Sequence, residues 1–248
     1  MNTPSASRAE PSPIEPPGGS AIRRVLVWDA PVRVFHWLMV LSFAGAYLTA
    51  ESERWRLVHV TLGYTMAGLV GFRIVWGLVG TRHARFASFV RGPAEVLRYL
   101  RHLIGGKADP HVGHNPAGSL AILALLGLAL VVTATGWATY HEIGGDALEE
   151  LHEGAANAML AVVGVHIAGV LLGSWLHHDN LIGAMITGRK PGRPEDAVRH
   201  AWRSLAALML VAVLGFWWLQ WQGAPSGGAS SGPAASGKPA AGHHDDDD

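Results

Sequence analysis

The chain has no cysteine. That excludes disulfides, Cys-ligated iron–sulfur clusters, thiolate nucleophiles and C-x-x-C-H attachment of c-type haem. Charge is scarce too: Asp, Glu, Lys and Arg make up 15% of the residues, against roughly 25% in an average soluble domain. Lys plus Arg and Asp plus Glu number 19 each, so no net charge draws the chain to nucleic acid. No apolar core with a small-residue cleavage site follows the first basic residues, so no signal peptide is expected. What is present is 49% hydrophobic, with fourteen His and ten Trp. Long apolar runs between polar ends read as a polytopic membrane protein. A cofactor in such a chain must be held by His, by carboxylates or by packing, and His is the commonest metal ligand.

Composition also divides the chain. Residues 1–22, rich in Pro, Ser, Gly and Glu, and residues 223–248, closed by HHDDDD, read as disordered tails. Between them five spans are expected. The first lies within Arg23 to Ala50, with Asp29 in cap position and Pro31 in the first turn. The second runs from Leu57 to about Val79, the third from Pro116 to Trp137, the fourth from Leu151 to His178, and the fifth from about Trp202 to Trp221. The fold class is an all-α membrane protein: a four-helix transmembrane bundle over residues 23–190, then a loop and a fifth C-terminal transmembrane helix over 191–222. Inside the connection 81–115, the apolar spacing of Pro93 to Ile104, with Arg98 and Arg101 between, predicts a short amphipathic helix lying in the membrane interface.

Lys and Arg set the orientation. Arg82, Arg85, Arg91, Arg98, Arg101 and Lys107 fill one long loop, and Arg189, Lys190, Arg193 and Arg199 another. The loop from Thr139 to Leu151 has none and carries Glu142, Asp146, Glu149 and Glu150. By the positive-inside rule the N-terminus is cytoplasmic and the C-terminus is on the other side, the periplasm of a bacterial inner membrane.

The fourth span, LHEGAANAMLAVVGVHIAGVLLGSWLHH, carries ionisable side chains that are costly in a bilayer and mark function. His152 and His166 are fourteen residues apart, almost four turns, so they point to nearly the same face about 21 Å apart along the axis. Depth pairs His152 with His59 at the start of span two, and His166 with His36 in the first turns of span one. Each pair could clamp one iron from both faces, giving two bis-His sites with no open position. His177 and His178 compete for a ligand role but sit too shallow to match His36. His83, His102, His111, His114, His141, His200, His243 and His244 fall in loops or tails and read as solvated. Arg33 and Arg73 are candidate partners for haem propionates, or ordinary cytoplasmic anchors. Gly63, Gly68 and Gly71 in span two, with Gly154, Gly164, Gly169 and Gly173 in span four, leave room for a planar ligand or permit close helix packing. His114 and Asn115, with His178 and Asn180, are candidates for hydrogen-bonding a quinone near the cytoplasmic pair, or caps and headgroup contacts. The acidic loop would complement a basic partner, or is simply solvated.

RVFHW in span one, VHVTLGY in span two, HNPAG at span three, and LHE…VGVHIAG…HHDNLIGAMITGRK around span four resemble the bacterial cytochrome b561 family over roughly residues 25–190. That family includes the b-type cytochrome subunits of nickel–iron hydrogenases and the gamma subunit of formate dehydrogenase. The resemblance implies a four-helix core binding two b-type haems, quinone chemistry in the membrane, and exchange with a redox partner on the periplasmic side. Its ligand pattern falls on His36, His59, His152 and His166. The ending HHDNLIGAMITGRK is most similar to the branch found beside periplasmic c-type cytochromes. The expected role is an electron-transfer subunit of an oxidoreductase. Rival readings are a self-standing oxidoreductase passing electrons from a small reductant such as superoxide to quinone, and a membrane protein whose His bind a divalent metal. The lack of intramembrane carboxylates disfavours the last.

Overall fold

The structure, a computed structural model, describes residues 22–90, 92–104 and 113–223. Nearly all of the two expected tails, together with Arg91, Lys107, His111, His243 and His244, lie outside the described residues. The chain opens with a strand β1 (Arg23–Leu26), then α1 (Ala30–Thr49) and α2 (Arg56–Val79). The connection that follows holds α3 (Phe86–Phe89) and α4 (Pro93–Ile104), the latter where the amphipathic spacing places it. Then come α5 (Pro116–Tyr140), α6 (Gly145–His177), α7 (Leu181–Thr187), β2 (Arg189–Gly192) and α8 (Arg203–Gln222). Five of these helices, α1, α2, α5, α6 and α8, are long and apolar enough to cross a membrane. The protein is an all-α multi-pass membrane bundle.

Local chemistry sets the helix ends. Asp29 Oδ1 accepts from Val32 N at 2.9 Å and Pro31 occupies the first turn of α1. Asn115 Oδ1 accepts from Gly118 N at 2.6 Å and Pro116 opens α5, so both ends satisfy an orphan amide and place proline where no donor is needed. Within the spans, Thr49, Thr65, Thr133 and Thr135 return their hydroxyls to carbonyls one turn back, which keeps them satisfied in hydrocarbon.

The packing order is α1 on α2, α2 on α5 and α5 on α6; α6 makes little or no backbone contact with α1 or α2. Side chains close that seam. Phe43 of α1, Met66 and Val70 of α2, Ala129 of α5 and Met159 of α6 form one buried cluster, with Met39 and Val163 packed against it. Tyr47 Oη donates to Asn157 Oδ1 at 2.8 Å, an α1–α6 strut. The fifth helix, α8, packs on α1 and the edge of α2, where Trp217 Nε1 donates to Thr65 Oγ1 at 2.9 Å.

Two features depart from the sequence expectation. The acidic loop shrinks to residues 141–144, because α6 begins at Gly145, not Leu151. Gly144, with φ 83°, makes the turn, and Asp146, Glu149 and Glu150 stand in the first turns of the helix, where carboxylates favour the positive end of its dipole. At ~1.5 Å per residue α6 outreaches a ~30 Å hydrocarbon core, so these turns project beyond it. Second, β1 and β2 pair antiparallel, Arg23 opposite Gly192 and Leu26 opposite Arg189. Val27 N and Trp28 N both donate to Gly188 O, and Ala30 N to Ala201 O. This staple fixes the start of α1 to the segment leaving α7. Four-residue strands of sequence RRVL and RKPG have no alternating pattern to read.

Candidate functional site

At the acidic end, His59 of α2 and His152 of α6 face each other with ring centroids 6.2 Å apart and planes at 78°. His59 Nδ1 lies 2.8 Å from Ala46 O. His152 Nδ1 lies 3.0 Å from Val132 O and 3.2 Å from Thr135 Oγ1. A carbonyl oxygen only accepts, so in each neutral ring Nδ1 carries the proton and Nε2 keeps its lone pair. Ring nitrogens that ligate metals are held in this way by a hydrogen bond at the other nitrogen. Imidazoles on opposite sides of one metal at ~2 Å each place their centroids about 6 Å apart, so the pair fits an iron clamped between them. The space around it fits as well. Gly63 is one turn from His59 on the same face of α2, and a Cβ there would meet nothing within 4 Å. A Cβ at Gly136 of α5 would instead lie 2.7 Å from His152 Cε1. One turn further along α5, Thr139 Oγ1 is buried and has no partner.

At the basic end, His36 of α1 and His166 of α6 are electrostatic neighbours across the α1–α6 seam. Both rings are half-buried, and His36 Nδ1 is buried with no partner. Of the buried side-chain atoms without a partner among the described residues, His36 Nδ1, Arg73 Nη1 and His114 Nδ1 lie toward the basic end and Thr139 Oγ1 toward the acidic end, while Ser42 Oγ lies in the layer between, beside Phe43 of the apolar cluster. Among the described residues no three of His, Cys, Asp or Glu gather as a metal-ion cage. The imidazoles come in pairs, which suits axial ligation of a haem better than a divalent cation.

The other candidates separate. His114 is not solvated: its ring packs between Trp28 and Phe89, each 4.5 Å away between centroids. Burial, then the charges of Arg73, His83, Lys190 and His166, push its imidazole down to about 3, so it is neutral at physiological pH. His83 is half-buried and its Nε2–H donates to Asp196 O at 2.8 Å, while His102, His141 and His200 are exposed. The His177 side chain lies outside the described residues. Asn115 spends its side-chain oxygen on the α5 cap. His178 and Asn180 lie elsewhere, in a groove of about 440 Å³ with Leu171, Ser174, Trp175, Asp179 and Ile182. Arg33 serves the fold: its Nη1 donates to Ile186 O at 2.6 Å and its Nε to Asp29 O at 3.3 Å. Arg73 is 4% exposed and lies over the rings of Phe86 and Phe89 at 4.9 and 5.9 Å.

Of the span glycines, Gly63, Gly68, Gly71, Gly154, Gly164 and Gly169 have open space where a Cβ would stand, and Gly173 meets only Leu181. No neighbouring helix packs closely on the first six, and Gly68, Gly71, Gly154, Gly164 and Gly169 are exposed on the surface of their helices. The glycine that touches the site is Gly136, which sequence reasoning missed. The signal available was the TATG run, small and polar inside the otherwise apolar α5.

The family model for prokaryotic cytochrome b561 matches residues 27–188, a stretch that includes all four paired histidines and stops before α8. Curated proteins similar to the chain carry one kind of name. The "Probable Ni/Fe-hydrogenase B-type cytochrome subunit" of Azotobacter vinelandii is 33% identical over 145 residues, 48% of this chain and 60% of that protein. The "Probable Ni/Fe-hydrogenase 1 B-type cytochrome subunit" of Escherichia coli K12 is 28% identical over 142 residues, 47% and 60% of the two chains. The like-named protein of Rhizobium leguminosarum bv. viciae is 26% identical over 222 residues, 70% of this chain and 92% of that one. The chain thus spans about 60% of the length of the first two relatives. No solved structure matches.

Proposed function

The chain belongs to the prokaryotic cytochrome b561 family, and from that premise we propose that it is a dihaem b-type cytochrome carrying electrons across the membrane between the quinone pool and a redox partner on the periplasmic side. His59 and His152 would hold one haem, and His36 and His166 the other. The observation that carries this reading is the pair of opposed imidazoles at the acidic end, each with Nδ1 on a helix carbonyl and Nε2 free to ligate.

Haem, when bound, supplies one-electron chemistry at its iron. The chain supplies position and insulation. The carbonyls of Ala46 and Val132 fix the tautomer and raise the basicity of His59 and His152. The Phe43, Met66, Val70, Ala129 and Met159 layer excludes water between the two ends. The fourteen-residue spacing on α6 separates the sites by about 21 Å along the helix. With the basic loops cytoplasmic, the His36–His166 pair lies toward the cytoplasm of a bacterial inner membrane. Quinone would react near it, with His178 and Asn180 in the groove beside Trp175 as candidate contacts. The four-helix core is then 23–190, and α8 with its loop is an addition to it.

At the other end Glu142, Asp146, Glu149 and Glu150 form an exposed acidic rim. Such a rim suits a basic partner, a c-type cytochrome or the electron-transfer face of a hydrogenase, the enzyme in the relatives' names. The test is electron transfer in proteoliposomes, with a lipophilic quinol in the membrane and a c-type cytochrome confined to the acidic side. Reduction of that cytochrome, lost in both His59→Ala and His166→Ala, is the expected result. No transfer in either direction by the haem-loaded chain would sink the proposal.

A further inference from the structure

Arg73 sits near the end of α2, buried to 4% exposure, and its guanidinium makes no hydrogen bond among the described residues. Nη1 in particular is enclosed and has no partner. The rings of Phe86 and Phe89 lie against the cation, but aromatic faces accept no N–H bond of full strength and carry no countercharge. The carboxylate whose charge acts on Arg73 is Asp29, and its oxygens already accept from Val32 N, Trp76 Nε1 and Thr81 Oγ1. Lys190 faces Asp179 at 3.5 Å. A second orphan stands beside Arg73: His114 Nδ1, buried between Trp28 and Phe89. The charges that bear on His114 are Arg73, His83, Lys190 and His166, all of one sign when ionised. Two buried side-chain nitrogens without partners, Arg73 Nη1 and His114 Nδ1, therefore stand together near His166. A buried guanidinium of this kind calls for an anion. The neutral carbonyl of a quinone could accept its N–H but would add no countercharge to that of Asp29.

We propose that Arg73 and His114 form a carboxylate pocket that takes a propionate of the haem held by His36 and His166. This rests on the bis-histidine reading given above. It moves His114 from the quinone candidates to haem anchoring, and it separates Arg73 from Arg33, whose guanidinium is committed to backbone carbonyls.

The test is an optical potentiometric titration of the purified, haem-loaded chain at pH 6, 7 and 8, with a haem count. Wild type is compared with Arg73→Gln, Arg73→Lys and His114→Phe. Removing the cation favours the ferric haem, so Arg73→Gln lowers one midpoint and leaves the other in place. With its partner gone the propionate binds a proton more readily, so that midpoint also becomes more pH-dependent. Arg73→Lys keeps both midpoints near wild type, and His114→Phe lowers the same midpoint as Arg73→Gln by less. Loss of one haem in Arg73→Gln, with both retained in Arg73→Lys, also counts for the pocket. Midpoints and pH dependence unchanged in Arg73→Gln overturn it. Should Arg73→Gln fail to accumulate, His114→Phe decides, and unmoved midpoints there overturn the pocket. A wild-type chain without haem contradicts the bis-histidine reading itself, whereas two haems with unmoved midpoints contradict only the pocket.

Discussion

Gly136→Ala isolates the geometry of the acidic-end site. The added Cβ would stand 2.7 Å from His152 Cε1 and 3.1 Å from Nδ1. The imidazole cannot yield freely, because Nδ1 is held by Val132 O at 3.0 Å and Thr135 Oγ1 at 3.2 Å. Keeping the ring in place means overpacking, at about 1–3 kcal/mol. Moving it gives up the Nδ1 hydrogen bond, at about 0.5–1.5 kcal/mol. Against this, alanine for glycine inside a helix gains about 1 kcal/mol. The stability of the chain should therefore change little while the ligand is displaced. A penalty of about 1–3 kcal/mol on the haem-bound state alone is about a 5- to 150-fold loss of affinity. The assay is a haem count with a reduced-minus-oxidised spectrum, beside a thermal melt. Gly136→Ala should lose or broaden one of two haem signals and melt near wild type. Gly127→Ala, on the same helix with nothing within 4 Å of its Cβ, should change neither. Two unaltered haem signals in Gly136→Ala would refute the placement of His152 as a ligand.

Three other perturbations follow from the same structure. Asp29→Ala strands the buried Trp76 Nε1–H and Thr81 hydroxyl and removes the α1 cap; it should cost about 3 kcal/mol, seen as a lowered thermal midpoint in detergent, and a wild-type melt would contradict the role given to the carboxylate. Tyr47→Phe breaks the α1–α6 strut to Asn157, and a double-mutant cycle with Asn157→Ala should return a coupling of only about 0.6 kcal/mol; a coupling several times larger would mean the strut closes the seam unaided. Reversing Glu149 and Glu150 to Lys should slow reduction of a basic c-type cytochrome at low ionic strength and flatten its salt dependence, and an unchanged rate and slope would remove the acidic rim from docking.

Much of this architecture can be read in the chain because the bilayer restricts what it can do. Apolar runs of membrane length, Asp29 and Asn115 before their prolines, and the amphipathic spacing over Pro93–Ile104 each carry a local physical signal, and each element lies where that signal places it. Depth along the spans sets His59 level with His152 and His36 level with His166 for the same reason, and the rings of the first pair face each other. Features that depend on two distant segments have no such signal. The β1–β2 staple needs Arg23–Leu26 to meet Arg189–Gly192. The burial of His114 needs Trp28 and Phe89 to close over it, so a histidine in a loop read as solvated. Asp29 looked like a cap alone, and only the fold adds Trp76 and Thr81. The early start of α6 turns on Gly144 in the left-handed region, where sequence has little to separate a loop from a helix rich in carboxylates.

The central claim is that four histidines hold two haems. It is tested most directly by a reduced-minus-oxidised spectrum and a haem count per chain, on wild type, His59→Ala and His166→Ala expressed with ample haem. The account predicts two b-type haems in wild type and one or none in each variant, with the surviving signal differing between the two. A folded wild-type chain without haem, or variants that keep both haems, would contradict it.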